Sequence, residues 1–270
     1  MTLDKKHDAL LRALAAGGPL AVAFSAGVDS TLLVAAAAAA LGEENVLALT
    51  AKTAALPARE LQEAKRLADE LGVRHEFVEI DVLAVPAFRE NAPDRCYHCK
   101  KHIFTALWAH ARAAGFTRLA EGSNMDDLND YRPGHRAIGE LGVESPLRDA
   151  RLSKEEIRTI SRALELPTAD KPSFACLASR VPYGDEITAE KLRRIDAAEQ
   201  VLYERGFSQY RVRCHGDLAR IEVPEAELGD LFSQRAEISD ALRALGFRYV
   251  TTDLQGFRSG SLNRTIQKET

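Results

Sequence analysis

A run of small and hydroxylated residues, Ser25–Ala26–Gly27–Val28–Asp29–Ser30, follows directly on the apolar stretch Leu20–Phe24 and opens a segment of helical composition. This pattern is suited to holding an anion. The first N–H groups of a helix have no partner within it, and the helix dipole adds partial positive charge where they point. Ser25, Ser30 and Thr31 add hydroxyl donors, and Gly27 lets a ligand approach the main chain. Asp29 cannot itself hold phosphate; a bound Mg²⁺ would explain a carboxylate here. The plain alternative is a strand-to-helix turn capped by Ser25 or Asp29. A Walker-type loop is excluded, because no Gly-Lys-Ser/Thr follows the glycine. If position 26 requires positive φ, its alanine is strained.

Thiols form the second group. Cys96 and Cys99 stand at CxxC spacing just before a predicted helix, Lys100–Ala114, and are flanked by Arg95, Lys100 and Lys101. Positive neighbours and a helix N-terminus favour thiolate, the form that binds metal. A structural zinc site would need a second such pair, which the chain lacks. Cys176, in Pro172–Arg180, is a third thiol. Three cysteines on a [4Fe-4S] cluster would leave one iron open to hydrosulfide; the plain alternative for Cys96 and Cys99 is two buried thiols. Cys214 reads as a small buried hydrophobe.

The third group is cationic. On the strand-like Tyr210–Cys214, Arg211 and Arg213 share one face. Two arginines on a buried strand are costly unless they meet an anion, and guanidinium grips phosphate bidentately. Arg180 and His215 join them in a candidate phosphate site. The alternative is a solvated face of an edge strand.

The elements that must carry these residues follow from periodicity. Strands are predicted at Leu20–Phe24, Val46–Thr50, His75–Ile80 and Thr117–Ala120, alternating with helices at Val28–Leu41, Arg59–Leu71 and Lys100–Ala114. That order implies an α/β fold, a parallel sheet with helices on both faces, binding ligands at the carboxyl ends of its strands. The alternation breaks at Pro167–Pro172. Beyond it, helix Ala189–Arg205, strands Tyr210–Cys214 and Ala219–Val223, helix Glu225–Leu245 and strand Phe247–Leu254 suit a small α+β domain. The boundary is placed at about residue 170, giving domains 1–170 and 171–270.

Composition sets the outer limits. The chain has 270 residues, 46% apolar and 28% charged, with a formal net charge of −4. This is the balance of a soluble globular protein, without the basic excess of a dedicated nucleic-acid binder. No segment reaches the roughly 18 apolar residues that cross a bilayer. The charged segment Met1–Ala16 reads as an amphipathic surface helix and not as a secretion signal. A cytoplasmic location and reduced thiols are expected.

The phosphate loop resembles the Ser-Gly-Gly-x-Asp-Ser signature of the PP-loop ATP pyrophosphatases, with Ala26 in place of a glycine. Glu121–Asp127 is similar to a Gly-Thr-Asn-x-Asp-Asp stretch that lies beside nucleotide and metal in those enzymes. The resemblance implies that ATP and Mg²⁺ bind at Ser25, Gly27, Asp29 and Ser30. It also implies that Gly122 admits adenine or ribose, and that Asp127 makes a second metal or substrate contact.

Further motifs narrow it: Arg95–Lys100, Ser145–Pro146–Leu147, the Cys176 segment with Arg180–Val181–Pro182–Tyr183–Gly184, Arg211–Gly216, and Gly256–Phe257–Arg258–Ser259–Gly260–Ser261. In this order they resemble the LarE family of sulfur transferases over nearly the whole chain. The family likeness implies adenylation of a carboxylate of pyridinium-3,5-biscarboxylate mononucleotide, then displacement of AMP by sulfur. The resulting thiocarboxylate matures into the nickel-pincer nucleotide of lactate racemase, with hand-off to a nickel insertase. Some members give up the sulfur of the residue matching Cys176; others carry sulfide on a [4Fe-4S] cluster. Cys96, Cys99 and Cys176 together favour the cluster kind here. Arg180, Arg211, Arg213, His215 and, by likeness alone, Arg258 are expected to hold the substrate phosphate. A homo-oligomer, a hexamer by likeness, is expected, with a small nucleotide substrate and neither nucleic acid nor membrane as partner. The rivals are a tRNA thiolase, a PP-loop amidotransferase or NAD-synthetase-like enzyme, and a nucleotide-sensing domain without activity.

Overall fold

The computed structural model describes residues 2–129, 134–172 and 174–258. The chain divides into two units. The first takes residues 1–53, 58–82 and 96–174; the second takes 54–57, 83–95 and everything from Ala175 on. A single cut at 170 therefore misplaces two short excursions. Their reason is long-range bonding within the second unit. The Leu177 amide donates to the Ala55 carbonyl at 2.9 Å. The buried Asn91 side chain donates to the carbonyls of Val181, Pro182 and Asp185.

In the first unit the order is α1 (Leu3–Ala15), β1 (Leu20–Ala23), α2 (Val28–Leu41), β2 (Val46–Lys52), α3 (Ala58–Glu70) and β3 (Arg74–Glu79). A short α4 (Pro86–Arg89) belongs to the second unit. Then come α5 (Arg95–Ala113), β4 (Leu119–Ala120), α6 (Gly134–Glu140), α7 (Pro146–Asp149) and α8 (Lys154–Ala163). The four strands form one parallel sheet in the order β3-β2-β1-β4.

Helix α2 is the centre of this unit. Its alanine-rich sequence is buried along most of its length, from Val28 to Ala37, and small side chains let strands and helices approach it closely. Leu10 and Leu14 of α1, Leu67 of α3 and Ile157 and Ile160 of α8 complete the same core. The α1 helix is thus more than a surface element. Helix α8 starts where Ser153 and Glu156 form a capping box, each side chain bonded to the other's main chain.

The second unit has α9 (Ala189–Glu204), β5 (Arg211–His215), β6 (Leu218–Glu222), α10 (Leu228–Ser233), α11 (Arg235–Ala244) and β7 (Tyr249–Thr252). Its sheet runs β5-β6-β7, antiparallel then parallel. The single helix expected over Glu225–Leu245 is broken at Gln234. Among the described residues no helix is long and apolar enough to cross a membrane.

Candidate active site

In the parallel sheet the chain steps outward from β1 to β2 to β3, then returns to lay β4 on the other side of β1. The strand order reverses between β1 and β4, which is where open α/β sheets bind ligands. The loops that leave these two strands, 24–27 and 121–127, are the two that the sequence singled out.

Strand β1 ends at Ala23, and the Phe24 amide is held by the Leu49 carbonyl at 2.8 Å. Ala26 then adopts φ 56° and is fully buried. The strain foreseen for alanine at this position is present; left-handed backbone disfavours an L-residue by about 1–2 kcal/mol. Its burial in the core offsets part of that, since a methyl group out of water is worth about 0.8 kcal/mol. Gly27 is the N-cap of α2 and supplies no side-chain cap, so the first-turn N–H groups have no capping acceptor there. The Ser30 hydroxyl is spent inside the loop: it accepts from the Ser25 amide and donates to the Gly27 carbonyl, both at 3.2 Å. Ser30 therefore shapes the loop, while the Ser25 side of it is exposed. Thr31, expected as a further donor, is fully buried.

The Asp29 carboxylate sits in the first turn of α2, partly exposed. One oxygen accepts from Asn124 Nδ2 at 3.2 Å and the other accepts from the Lys154 ammonium. Gly122 is required by protein and not only by any ligand: a Cβ there would stand 3.0 Å from the Ser30 nitrogen and 3.1 Å from Asp29 Cβ. Asp127 accepts from the Asn124 amide at 2.9 Å and so fixes the turn that presents Asn124. The buried Glu121, at the end of β4, accepts from Ser123 and Ser145 hydroxyls at 2.8 and 2.7 Å.

Two lysines were not anticipated. Lys154 reaches Asp29 as described. Lys171 donates to the Ala26 carbonyl at 3.0 Å and to Glu60 at 2.7 Å, tying the strained residue to α3. The Ser153–Glu156 capping signature could have put Lys154 on the first turn of a helix; nothing local points Lys171 at the loop.

No cysteine forms a disulfide. Helix α5 starts at Arg95, not Lys100, so Cys96 and Cys99 lie within its first turns. They are three residues apart and share a helix face; Cys96 is exposed and Cys99 half-buried. Between them, Tyr97 is anchored by a 2.7 Å hydrogen bond to Glu140, with the Arg136 guanidinium 3.9 Å from its ring centre. Cys176, in the second unit, is exposed, and Cys214 is buried as expected. Among the described residues no group of three or more His, Cys, Asp or Glu side chains is arranged to hold a metal. Mg²⁺ does not need such a cage, since it is commonly held by one or two carboxylates plus substrate phosphates. The hard oxygens of Asp29 beside an uncapped helix start fit that role. The exposed thiol of Cys96 and the half-buried one of Cys99 are two soft ligands of the kind a cluster takes.

In the second unit Arg180, Arg211 and Arg213 are buried, which removes the solvated-face alternative for the strand that carries the last two. Arg180 is 0% exposed. Its Nε and Nη2 donate to Glu199 at 2.7 and 2.9 Å. Its Nη1 donates to the carbonyls of Ala175 at 2.7 Å and Cys176 at 3.2 Å. Arg180 thus grips the main chain that presents Cys176. Arg213 is bidentate on Glu222, at 3.0 and 2.8 Å, and donates to the Ser179 carbonyl at 2.6 Å. The anions that make these charges tolerable are internal glutamates, which the sequence reading missed. Arg211 lies across the Phe257 ring, 5.0 Å from its centre. Burial, then the charges of Arg180 and Arg213, push its guanidinium down to about 9, against the pull of Glu199 and Glu222. It stays cationic at neutral pH. His215, at the exposed end of β5, is lowered first by partial burial of its ring and then by Arg220. Arg258 is exposed; Ser259, Gly260 and Ser261 of the last motif, and Ser173, lie outside the described residues.

The model of the asparagine synthase family matches residues 4–121, the stretch that carries β1 through β4 and the phosphate loop. A pyridinium-3,5-bisthiocarboxylic acid mononucleotide synthase of Lactiplantibacillus plantarum is 39% identical over 99% of this chain and 97% of its own. A Synechocystis sp. protein of unassigned function is 43% identical over 92% of each chain. The tRNA-specific 2-thiouridylase MnmA of Rhodospirillum rubrum is 30% identical over 66% of this chain and 57% of its own. The motifs in their order, the phosphate loop at the β1/β4 reversal and an end-to-end match to the synthase agree: the chain belongs to the LarE family of PP-loop enzymes.

Proposed function

We propose that this protein is an ATP-dependent sulfurtransferase that converts a carboxylate of pyridinium-3,5-biscarboxylate mononucleotide to a thiocarboxylate. The observation that carries the reading is the uncapped start of α2, with Asp29 in its first turn, at the sheet's topological switch point. A substrate carboxylate oxygen attacks the α-phosphorus of ATP. The bond from that phosphorus to the α–β bridging oxygen breaks, and pyrophosphate leaves with the electron pair. The N–H groups of the loop and first turn meet the charge that gathers on the departing phosphates. Bound Mg²⁺ would neutralise the triphosphate, with Asp29 as its protein ligand. A sulfur nucleophile then adds to the acyl carbon, and AMP leaves with the former carboxylate oxygen.

Arg211, with Arg213, His215 and Arg258, is the proposed seat of the substrate phosphate. Arg180 acts one step away, by holding the carbonyl of Cys176. Gly122 and Asp127 keep the second loop against the first. Cys96, Cys99 and Cys176 are the proposed ligands of a [4Fe-4S] cluster, which would supply sulfide. By the same family likeness, the product serves the nickel-pincer nucleotide of lactate racemase.

The test is an anaerobic single turnover with ATP and the mononucleotide, followed by mass spectrometry of product and protein. A product with one oxygen replaced by sulfur and an intact Cys176 supports the whole reading. Loss of one sulfur from Cys176 overturns the cluster while leaving the sulfurtransferase. Amidation in the presence of ammonia, with no sulfur incorporated, favours the amidotransferase rival.

A further inference from the structure

The reading of Asp29 as a metal ligand meets a difficulty in the structure itself: both its oxygens already accept hydrogen bonds, from Asn124 and from Lys154. Asn124 is neutral and leaves the carboxylate's charge intact. Lys154 does not; its ammonium neutralises Asp29 in the position where a divalent cation would sit. The lysine is held to this task from its main chain. Its amide donates to Asp126 at 2.8 Å, within the same loop that provides Asn124. The preceding residue is locked in the capping box, and Glu156 of that box is tied to α1 through Lys6 at 2.7 Å. The origin of the side chain is fixed, so its tip is delivered to Asp29. Both partners remain partly exposed, at 32% and 23%, so the contact can open without rearranging a core.

We propose that Lys154 is a positioning residue that occupies Asp29 in the nucleotide-free protein and exchanges with the divalent cation when ATP arrives. This rests on the assignment of Asp29 as metal ligand. The exchange balances charge: the cation takes the carboxylate, and the released ammonium turns to the triphosphate. Metal alone must compete with an ammonium that has no new anion to go to, whereas metal with nucleotide does not. Metal and ATP therefore bind with positive coupling, and linkage makes the effect reciprocal. The device keeps Asp29 placed, and prevents two unpaired negative groups from meeting when the polyphosphate enters.

The test is Mn²⁺ binding to the full chain, by electron paramagnetic resonance, with and without an ATP analogue carrying a methylene bridge between the α- and β-phosphates. In wild type, the analogue is expected to tighten Mn²⁺ binding. In Lys154→Met and in Lys154→Gln, Mn²⁺ is expected to bind the nucleotide-free protein about five-fold more tightly than in wild type, the equivalent of the roughly 1 kcal/mol of a partly exposed ion pair. The tightening caused by the analogue should shrink correspondingly. Asp29→Asn should abolish Mn²⁺ binding in both states. If both Lys154 variants bind Mn²⁺ as wild type does while Asp29→Asn abolishes it, the exchange is overturned and the metal site stands. If Asp29→Asn still binds Mn²⁺ normally with the analogue present, the metal assignment itself is overturned, and the exchange with it.

Discussion

Replacing Glu199 by methionine isolates the energetics of the buried arginine cluster. The side chains of Arg180 and Glu199 are 0% and 2% exposed, and two N–H···O bonds join them. Glu199 also accepts from the Val212 amide at 3.0 Å, which fixes the start of β5. Removing the carboxylate leaves the Arg180 charge buried and places it beside Arg211, whose own charge is already disfavoured by burial and by Arg180. Breaking a buried pair from one side is worth about 3–5 kcal/mol, and the orphaned amide adds about 1 kcal/mol. Removing both partners is different, because no charge is then stranded. The carbonyls of Ala175 and Cys176, which Arg180 also holds, belong to exposed residues and can take water instead. The double variant Arg180→Met with Glu199→Met should therefore recover at least about 2 kcal/mol relative to Glu199→Met. Hydrogen–deuterium exchange of peptides spanning β5 and β6 reads this stability in the second unit alone. A Glu199→Met protein within about 1 kcal/mol of wild type, or a double variant no more protected than the single, would refute the argument.

Other expected outcomes are as direct. Gly122→Ala places a methyl 3.0 Å from the Ser30 nitrogen and must push the two loops apart; a loss of at least about five-fold in ATP affinity is expected by calorimetry, from the roughly 1–3 kcal/mol of an overpacked contact. Lys171→Met leaves the nearly buried Glu60 and the strained Ala26 carbonyl without their shared donor. A fall of about 2–3 kcal/mol in urea stability is expected, and an unchanged midpoint would remove Lys171 from the loop's support. His75 is lowered below its ordinary 6.5, first by burial, and its ring contacts the Thr50 hydroxyl at 2.8 Å. The unfolded chain takes up the proton first, so stability is complete above pH 6.5 and falls as pH drops through that value. His75→Gln should flatten the loss of stability between pH 7 and 5, and an unaltered slope would contradict it.

What could be read from residue order was local. The phosphate loop, the strain at Ala26 and the β/α alternation each depend on neighbours within one turn or one strand, and so does the pairing of Arg211 with Arg213 on one face. What escaped was distant. Lys154 finds Asp29 across 125 residues, Lys171 finds Glu60 across 111, and Glu199 is 19 residues from Arg180. A surface lysine and a buried one have the same local sequence, and so have a solvated glutamate and one that neutralises a core arginine. The interleaving of the two units escaped for the same reason. Segments 54–57 and 83–95 are short and lie between elements of the parallel sheet, and only their bonds to residues after Ala175 reveal where they belong. Helix α5 starts at Arg95, ahead of the Lys100 expected from periodicity, so the CxxC thiols occupy a helix turn and do not precede one.

The central claim is cleavage of ATP between its α- and β-phosphates at the turn around Gly27. Exchange of labelled pyrophosphate into ATP, in the presence of the pyridinium mononucleotide and before any sulfur is supplied, measures that step directly. Incorporation of label that needs both the mononucleotide and Asp29 is the predicted result. Formation of ADP and phosphate, or an exchange rate unaffected by Asp29→Asn, would contradict it.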